Sequence, residues 1–171
     1  MKNMNKKLQK HLDDNEIKYE IVAHRLVYTA YDVAATLHVK LSIIAKGLLV
    51  KMNKPLEHGK KPYAMAVVPA DKNIDLKKLA RVMTTKDVRI TKVEIPKEAV
   101  MKSRFKLKPG SMAAFGSEYK LPVLMDKALK GMVIFSSGSF TESVKMSVAD
   151  FIKLEQAKTG NFSVAKKKRR K

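Results

Sequence analysis

A lysine stands inside an apolar run that reads Ser-Ile-Ile-Ala-Lys-Gly-Leu-Leu-Val over residues 42–50. The run predicts a β-strand that enters the core. With the two-residue repeat of a strand, Lys46 shares a face with Leu48 and Val50. A buried ammonium is unfavourable unless it is paired. Lys46 therefore either reaches solvent at the strand edge or supplies a cation to a pocket, and the local pattern alone favours the first alternative.

Two loops rich in small residues carry the second chemical signal. One reads Pro-Gly-Ser-Met-Ala-Ala-Phe-Gly over 109–116, and the other reads Ser-Ser-Gly-Ser over 136–139. Glycine lets the backbone approach a ligand closely, and the N–H groups of such loops can hold an oxyanion or a carbonyl oxygen. Ordinary turns have the same composition, and local sequence alone favours that interpretation.

Several other kinds of site lack support. The chain has no cysteine, which excludes disulfides, thiolate metal sites and cysteine nucleophiles. No two histidines are spaced as metal ligands on one helix, so we expect no metal site. The loops typical of nucleotide-binding enzymes and of serine hydrolases are also missing. A serine-lysine pair at 103 and 106 has no partner motif and is interpreted as a coincidence.

Alternating helical and extended patterns position the lysine. Thr29 and Asp32 form a capping-box pattern, which predicts a helix just before the lysine strand. That strand is expected to reach about Met52 and to pair with a second strand over 63–68 in a hairpin. The interleaved elements show no strict βαβ repeat, so they predict an α/β domain with a mixed sheet.

The same patterns predict the remaining elements. Helices are expected in the first twelve residues, after Asp75, after Pro96 and after Ser147. Further strands are expected near 17–21, over 88–90, 121–125 and 132–135, and around 144–146. The chain is assigned one domain over 1–163 and a basic tail over 164–171.

Charge indicates the kind of partner. The 171 residues include 36 Lys and Arg against 16 Asp and Glu, a formal net charge of +20. A polyanion is the natural counterpart, and we favour a nucleic acid. No apolar run approaches the roughly 20 residues needed to cross a bilayer. The basic N-terminus is unlike a secretory signal, so we expect a cytoplasmic protein without a membrane partner.

Taken in their order along the chain, these motifs resemble the YbaK family, the standalone relatives of the editing domain of bacterial prolyl-tRNA synthetases. The resemblance runs from about residue 17 to residue 162. It rests on an ordered set of segments: His24, Thr29-Ala30, Ala34-Ala35, Ala45 to Val50, Ala66 to Pro69, Asp75 to Ala80, Pro109 to Ser111, Phe115-Gly116, Leu121 to Val123, Asp126 and Ser136 to Gly138.

The resemblance implies a fold and an activity. The fold would be a single compact α/β domain with a mixed, partly barrel-like sheet flanked by helices. The activity would be trans-editing, the hydrolysis of the ester that joins a wrong amino acid to a tRNA, with a proline-type tRNA as the favoured substrate. The partner would be the aminoacylated 3′ end of tRNA, with an aminoacyl-tRNA synthetase as a further candidate. No cofactor or metal would be needed.

The resemblance also implies roles for individual residues. The family's pocket lysine maps onto Lys46, the predicted catalytic residue, and substrate binding would involve His24, Gly110, Ser111, Ser136 and Gly138. Relatives often carry a proline where this chain has Ala114, and the segment 140–143 lacks charges that some relatives carry. These departures leave the amino acid open. They also leave a second hypothesis open, a basic RNA-binding protein that keeps the editing-domain fold without catalysis.

Overall fold

Five helices and ten strands alternate along residues 4–108 and 110–167, the parts of the chain that this computed structural model describes. The helices are α1 (Lys6–Asp14), α2 (Ala30–Leu37), α3 (Leu76–Met83), α4 (Glu98–Phe105) and α5 (Val148–Glu155). The strands are β1 (Tyr19–Ala23), β2 (Ile44–Met52), β3 (Tyr63–Pro69), β4 (Lys72–Ile74), β5 (Val93–Glu94), β6 (Val123–Asp126), β7 (Met132–Ser136), β8 (Glu142–Ser147), β9 (Lys158–Gly160) and β10 (Ser163–Ala165).

The main sheet is mixed, as the sequence predicts. Its order is β1-β8-β7-β2-β3-β6-β9, with β5 also paired to β2, and β4 and β10 form a separate pair. β2 and β3 are an antiparallel hairpin in which Lys46 lies opposite Val68. β2 pairs in parallel with β7, and β3 pairs in parallel with β6. The lysine strand is therefore central in the sheet.

The two faces of β2 belong to different apolar clusters. Ala45 and Leu49 pack in the larger cluster, which includes the stacked rings of Phe135 and Phe151. Val50 and Met52 pack on the other face, in the cluster that contains α3. Alternate side chains of a strand point to opposite faces, so a strand with apolar residues on both faces must lie between two layers.

The predicted helix caps are present. The Thr29 hydroxyl accepts a hydrogen bond from Asp32 N at 3.1 Å, which begins α2. Asp75 accepts from two backbone N–H groups at the start of α3, and Ser147 accepts from Asp150 N at the start of α5. These side chains satisfy N–H groups that a helix start leaves without partners.

Some local predictions are wrong. Residues 88–90 form no strand, and the strand in this region is β5, two residues long. Strands β9 and β10 follow the last helix although no pattern predicted them. Pro109, the first three residues and residues 168–171 of the basic tail lie outside the described part of the chain. Within the described part, no helix combines the length and apolarity that a membrane span requires.

A buried carboxylate fixes the chain end. Asp126 is 2% exposed and accepts hydrogen bonds from Phe162 N, Ser163 N and the Ser163 hydroxyl, each at 2.8 Å. It also accepts from Ala128 N at 2.9 Å. Because these bonds hold the start of β10, they also position Lys166, which directly follows this strand.

Candidate functional site

One edge of β2 is left partly open by its neighbours. β7 pairs with it only over residues 44–45, and β5 pairs with it only over residues 51–52. Between these two contacts, residues 46–50 have a partner strand on one side only, which is β3. An unpaired strand edge presents N–H and C=O groups that a ligand can use.

The backbone of this open edge faces a cavity of about 380 Å³, which we call the lysine cavity. Ala70 N donates to Ile44 O at 2.8 Å, so even-numbered residues of β2 hydrogen-bond to β3. Gly47 and Leu49 therefore direct their N–H and C=O groups to the open edge. The cavity is lined by Val27, Tyr28, Thr29, Ala30, Val33, Ile44 to Leu49, Ile95, Pro96, Glu98, Met101, Gly110, Met112, Ile134, Ser136, Ser139, Phe140 and Ser143.

Among the described residues that line the cavity, Lys46 is the one ammonium and Glu98 is the one carboxylate. Lys46 is half-buried, and burial is the main reason why its pKa lies below the ordinary 10.5. The positive charge of Lys166 lowers this pKa further, and the negative charge of Asp71 raises it. Within the described residues, no carboxylate lies within 4.0 Å of the Lys46 ammonium. A ligand oxygen is therefore its natural partner.

Asp71 and Lys166 are brought to Lys46 by the small sheet. β10 runs antiparallel to β4 with Ala165 opposite Lys72, so Lys166 continues beside Asp71. One oxygen of Asp71, Oδ1, is buried and has no hydrogen-bond partner among the described residues. The start of the basic tail therefore lies near the cavity lysine.

The first small-residue loop reaches the cavity through Gly110. Its φ of +76° is a left-handed conformation that favours glycine, and an added Cβ would lie 2.7 Å from the Tyr28 carbonyl oxygen. The neighbouring Ser111 does not line the cavity. Its hydroxyl donates a hydrogen bond to Lys108 O at 2.6 Å. Gly110 is thus the member of this pair that contributes to the wall.

The second small-residue loop is joined to the first. The Ser136 hydroxyl donates to Met112 O at 3.2 Å, and Ala114 N donates to Ser136 O at 2.9 Å. Gly138 does not line the cavity, but an added Cβ would lie 3.1 Å from Ser111 O. Gly138 therefore permits close packing of the two loops, while Ser136 lies in the wall.

His24 contacts the cavity indirectly. Its Nδ1 lies 2.9 Å from Arg25 O, which can only accept, so Nδ1 is the donor. In the neutral ring Nε2 then accepts from the Ser143 hydroxyl at 3.0 Å, and Ser143 lines the cavity. Elsewhere in the described chain, no three His, Asp or Glu side chains are grouped in a way that would hold a metal ion.

Sequence reasoning missed the apolar rim of the cavity. The rings of Tyr28 and Phe140 meet edge to face with centroids 4.9 Å apart, and Tyr28 is 61% exposed. Ile95 adds a second exposed apolar side chain to the lining. The available signal was the pair of tyrosines that flank the Thr29 cap, at 28 and 31. Exposed aromatic groups at a cavity mouth are suited to flat ligand groups.

Comparison with known proteins places this geometry in a family. The aminoacyl-tRNA editing domain matches residues 24–154, about three quarters of the chain. A crystal structure of a candidate trans-editing enzyme for prolyl tRNA synthetase is 16% identical, with a TM-score of 0.72 over 94% of this chain and 96% of that chain. No curated protein matches the sequence.

Two further solved structures have the same fold. A hypothetical protein is 16% identical, with a TM-score of 0.77 over 92% of this chain and 99% of that one. A candidate signal transduction protein from Marinobacter aquaeolei VT8 is 15% identical, with a TM-score of 0.63 over 95% of this chain and 31% of that one. At these identities the likeness shows the fold alone.

Proposed function

The chain belongs to the aminoacyl-tRNA editing domain family, and from this premise we propose that it is a trans-editing deacylase. Its substrate would be a mischarged tRNA, in which an ester joins the wrong amino acid to the 3′-terminal adenosine. The single observation that carries the proposal is the half-buried ammonium of Lys46, which has no ion-pair partner among the described residues and lies in the same cavity wall as Gly110.

The proposed reaction is the hydrolysis of an ester by water. Water attacks the carbonyl carbon and gives up a proton, the carbonyl oxygen becomes an oxyanion, and the bond to the ribose oxygen then breaks as that oxygen takes up the proton. An aminoacyl ester is already activated, so orientation and charge stabilisation supply most of what the step requires. Water and the substrate therefore supply the reacting atoms.

Lys46 and the loop backbone would share the stabilisation of negative charge. Lys46 would interact with the oxyanion or with the terminal phosphate, because an ammonium in a partly desolvated site acts strongly on a nearby negative charge. The N–H group of Gly110 and the open-edge N–H group of Gly47 are candidates to hold the carbonyl oxygen. Glu98 is the candidate partner for the substrate's α-ammonium group.

The cavity and the charge of the chain fit an aminoacylated tRNA end. Apolar side chains such as Val33, Ile44 and Met101 line much of the cavity and suit an uncharged amino acid side chain. Tyr28 and Phe140 at the rim would contact the terminal adenine, and the net charge of +20 favours the phosphate backbone. A proline-type tRNA is the favoured substrate because a structural neighbour is described as a candidate trans-editing enzyme for prolyl tRNA synthetase.

The alternative is an RNA-binding protein without catalysis. Ala114, which stands where many relatives have a proline, is the observation that favours it, because Ala114 N is bonded to the second loop and helps to shape the cavity. This alternative predicts that uncharged and charged tRNA bind equally and that no aminoacyl ester is hydrolysed.

A panel of mischarged tRNAs separates the two functions. The protein is incubated with each member, and release of the amino acid is measured. We expect hydrolysis of at least one mischarged proline-type tRNA, lost by at least about 100-fold in Lys46→Ala. Lys51→Ala is the matched control, since Lys51 lies on the same strand but outside the cavity lining. A fully active Lys46→Ala protein, or a wild-type protein inactive on every member, would contradict the proposal.

A further inference from the structure

A second cavity lies at the other end of α4. It has a volume of about 790 Å³, and we call it the basic–aromatic cavity. Three separate segments form its wall: one from the connection between β2 and β3, one from the end of α4, and one before β6. The side chains used below are Lys60, Lys61, Tyr63, Arg104, Phe105 and Tyr119.

The deep part of this cavity is aromatic. The centroids of Tyr63 and Phe105 are 5.7 Å apart, those of Phe105 and Tyr119 are 6.4 Å apart, and each pair meets edge to face. Arg104 places its guanidinium carbon 5.6 Å from the centroid of the Tyr63 ring. The cavity wall thus combines π surfaces with a planar cation.

The outer part of this cavity is positively charged. Among the described residues, its lining contains four cations and two carboxylates. The cations all have exposed side chains and are Lys60, Lys61, Arg104 and Lys120. One carboxylate, Glu57, is exposed. The other, Glu118, accepts a hydrogen bond from Asn5 Nδ2 at 3.1 Å, and burial raises its pKa. The remaining charge at the mouth is therefore suited to an anion.

We propose that the basic–aromatic cavity binds a nucleotide of single-stranded RNA. Its base would lie against the partly exposed rings of Phe105 and Tyr119 and the Arg104 guanidinium, and its phosphate would lie on Lys60 and Lys61. Proteins bind unpaired nucleotides by this combination, in which aromatic and guanidinium planes stack with bases and lysines neutralise phosphates. That the RNA is the unpaired 3′ end of a tRNA rests on the proposed function.

The two cavities are close enough for one RNA strand to occupy both. α4 contributes Met101 to the lysine cavity and Arg104 to the basic–aromatic cavity. Three residues along a helix rise about 4.5 Å. Tyr63, which lines the basic–aromatic cavity, pairs with Lys51 across the hairpin. Lys51 is two residues beyond Leu49, which lines the lysine cavity, and two residues of a strand span about 7 Å. These are distances of the order of one or two nucleotides.

The test measures the affinity of fluorescently labelled, uncharged single-stranded RNA at several salt concentrations. Lys60→Gln/Lys61→Gln is expected to weaken binding and to flatten the plot of log affinity against log salt by about 0.7 for each lost phosphate contact. Arg104→Lys keeps the charge and loses the planar group, so affinity should fall about two- to fivefold with an unchanged slope.

The matched control is Lys86→Gln, which removes an exposed lysine from outside both cavities. It should change affinity and slope much less than the double variant does. The proposal would be overturned if Lys86→Gln lowered RNA affinity as much per lysine as the double variant does. It would also be overturned if the double variant left the affinity unchanged. A polyglutamate peptide is the competing probe. If the double variant loses this peptide but keeps RNA, the occupant is an acidic protein segment and the proposal is wrong.

The result can be separated from the outcome for deacylation. Lys46→Ala should keep most affinity for uncharged RNA although it loses hydrolysis. The double variant should raise KM for a mischarged tRNA while leaving kcat close to the wild-type value. If the wild-type protein hydrolyses no ester, the affinity measurements with uncharged RNA still decide whether the basic–aromatic cavity is an RNA site.

Discussion

Among the described residues, the lysine cavity holds a single half-buried ammonium among apolar side chains, whereas the basic–aromatic cavity surrounds aromatic rings with four exposed cations. A desolvated charge acts strongly on a nearby ligand but is unfavourable without one. Exposed charges are screened by salt and contribute mainly to attraction over longer distances. The first arrangement therefore suits charge stabilisation at one atom, and the second suits affinity for a polymer.

Glycines in the two walls give the sharpest test of this comparison. Gly110 and Gly59 both have positive φ, +76° and +79°, but only at Gly110 would an added Cβ meet the backbone. Gly110→Ala should therefore displace the loop and reduce deacylation by about 100-fold. Gly59→Ala should only strain its own turn, by about 1–2 kcal/mol, and keep the activity. Thermal melts and initial rates measure both effects, and equal losses of activity would argue against a special role for Gly110.

Tyr119 connects the two cavities, and its hydroxyl tests that connection. The ring lines the basic–aromatic cavity, while the hydroxyl accepts from Ala113 N at 2.7 Å and so holds the first small-residue loop, which contributes Gly110 and Met112 to the lysine cavity. Tyr119→Phe leaves that N–H without its partner, which should lower stability by about 1–3 kcal/mol. We expect deacylation to fall about tenfold through kcat, because the loop is less well positioned.

The control for this variant is Tyr19→Phe. Tyr19 also loses a hydrogen bond of 2.7 Å, but its partner is the exposed carboxylate of Asp13. This change should leave both stability and rate nearly unchanged. A Tyr119→Phe protein with reduced stability and unchanged kcat would show that the bond stabilises the fold without positioning the loop.

Replacement of lysines by methionine compares the two walls through stability. Lys46→Met removes a half-buried charge that has no carboxylate within 4.0 Å among the described residues, so we expect the melting temperature to rise by about 1–3 °C while hydrolysis is lost. Lys61→Met removes an exposed charge and should leave the melting temperature unchanged. Differential scanning calorimetry at pH 7 measures both. A Lys46→Met protein that is less stable than wild type would mean that the ammonium has a favourable partner in the free protein.

The pKa of Lys46 gives the smallest expected effect. Lys166→Gln removes a like charge and should raise this pKa, whereas Asp71→Asn removes an opposite charge and should lower it. The pKa of Lys46 lies below 10.5 in the folded protein and is 10.5 in the unfolded chain. At any pH between these two pKa values the unfolded chain binds more protons than the folded protein, so the free energy of unfolding should rise with pH in that window. Activity that depends on the ammonium should fall in the same window. Side-chain NMR titration measures the shifts, and shifts of the same sign in both variants would contradict this assignment.

Much of the fold could be predicted from local pattern. The caps at Thr29, Asp75 and Ser147, and the hairpin that contains Lys46, follow from residue types and their spacing, because caps and two-residue periodicity are local properties. Residues 88–90 were wrongly predicted as a strand because a short apolar alternation also occurs in a loop that packs against a helix.

The candidate site could be predicted only in part. Lys46, Gly110 and Ser136 were named from the motifs, and the folded chain brings all three to one cavity, where their roles remain proposals. Ser111 and Gly138 were named as well, and they pack against each other outside the lining. Some loop residues line the cavity, and others only hold the lining residues in place. Hydrogen bonds between distant segments decide which of these two roles a loop residue has.

The sequence alone determined which face of its strand Lys46 occupies and what charge the protein presents to a polyanion, because these follow from the two-residue repeat and from composition. Only the tertiary structure decided that Lys46 lies in a cavity wall near Asp71 and Lys166, and that distant segments form a second cavity. Strand pairing and chain crossings join residues far apart in sequence, and local periodicity contains no information about them.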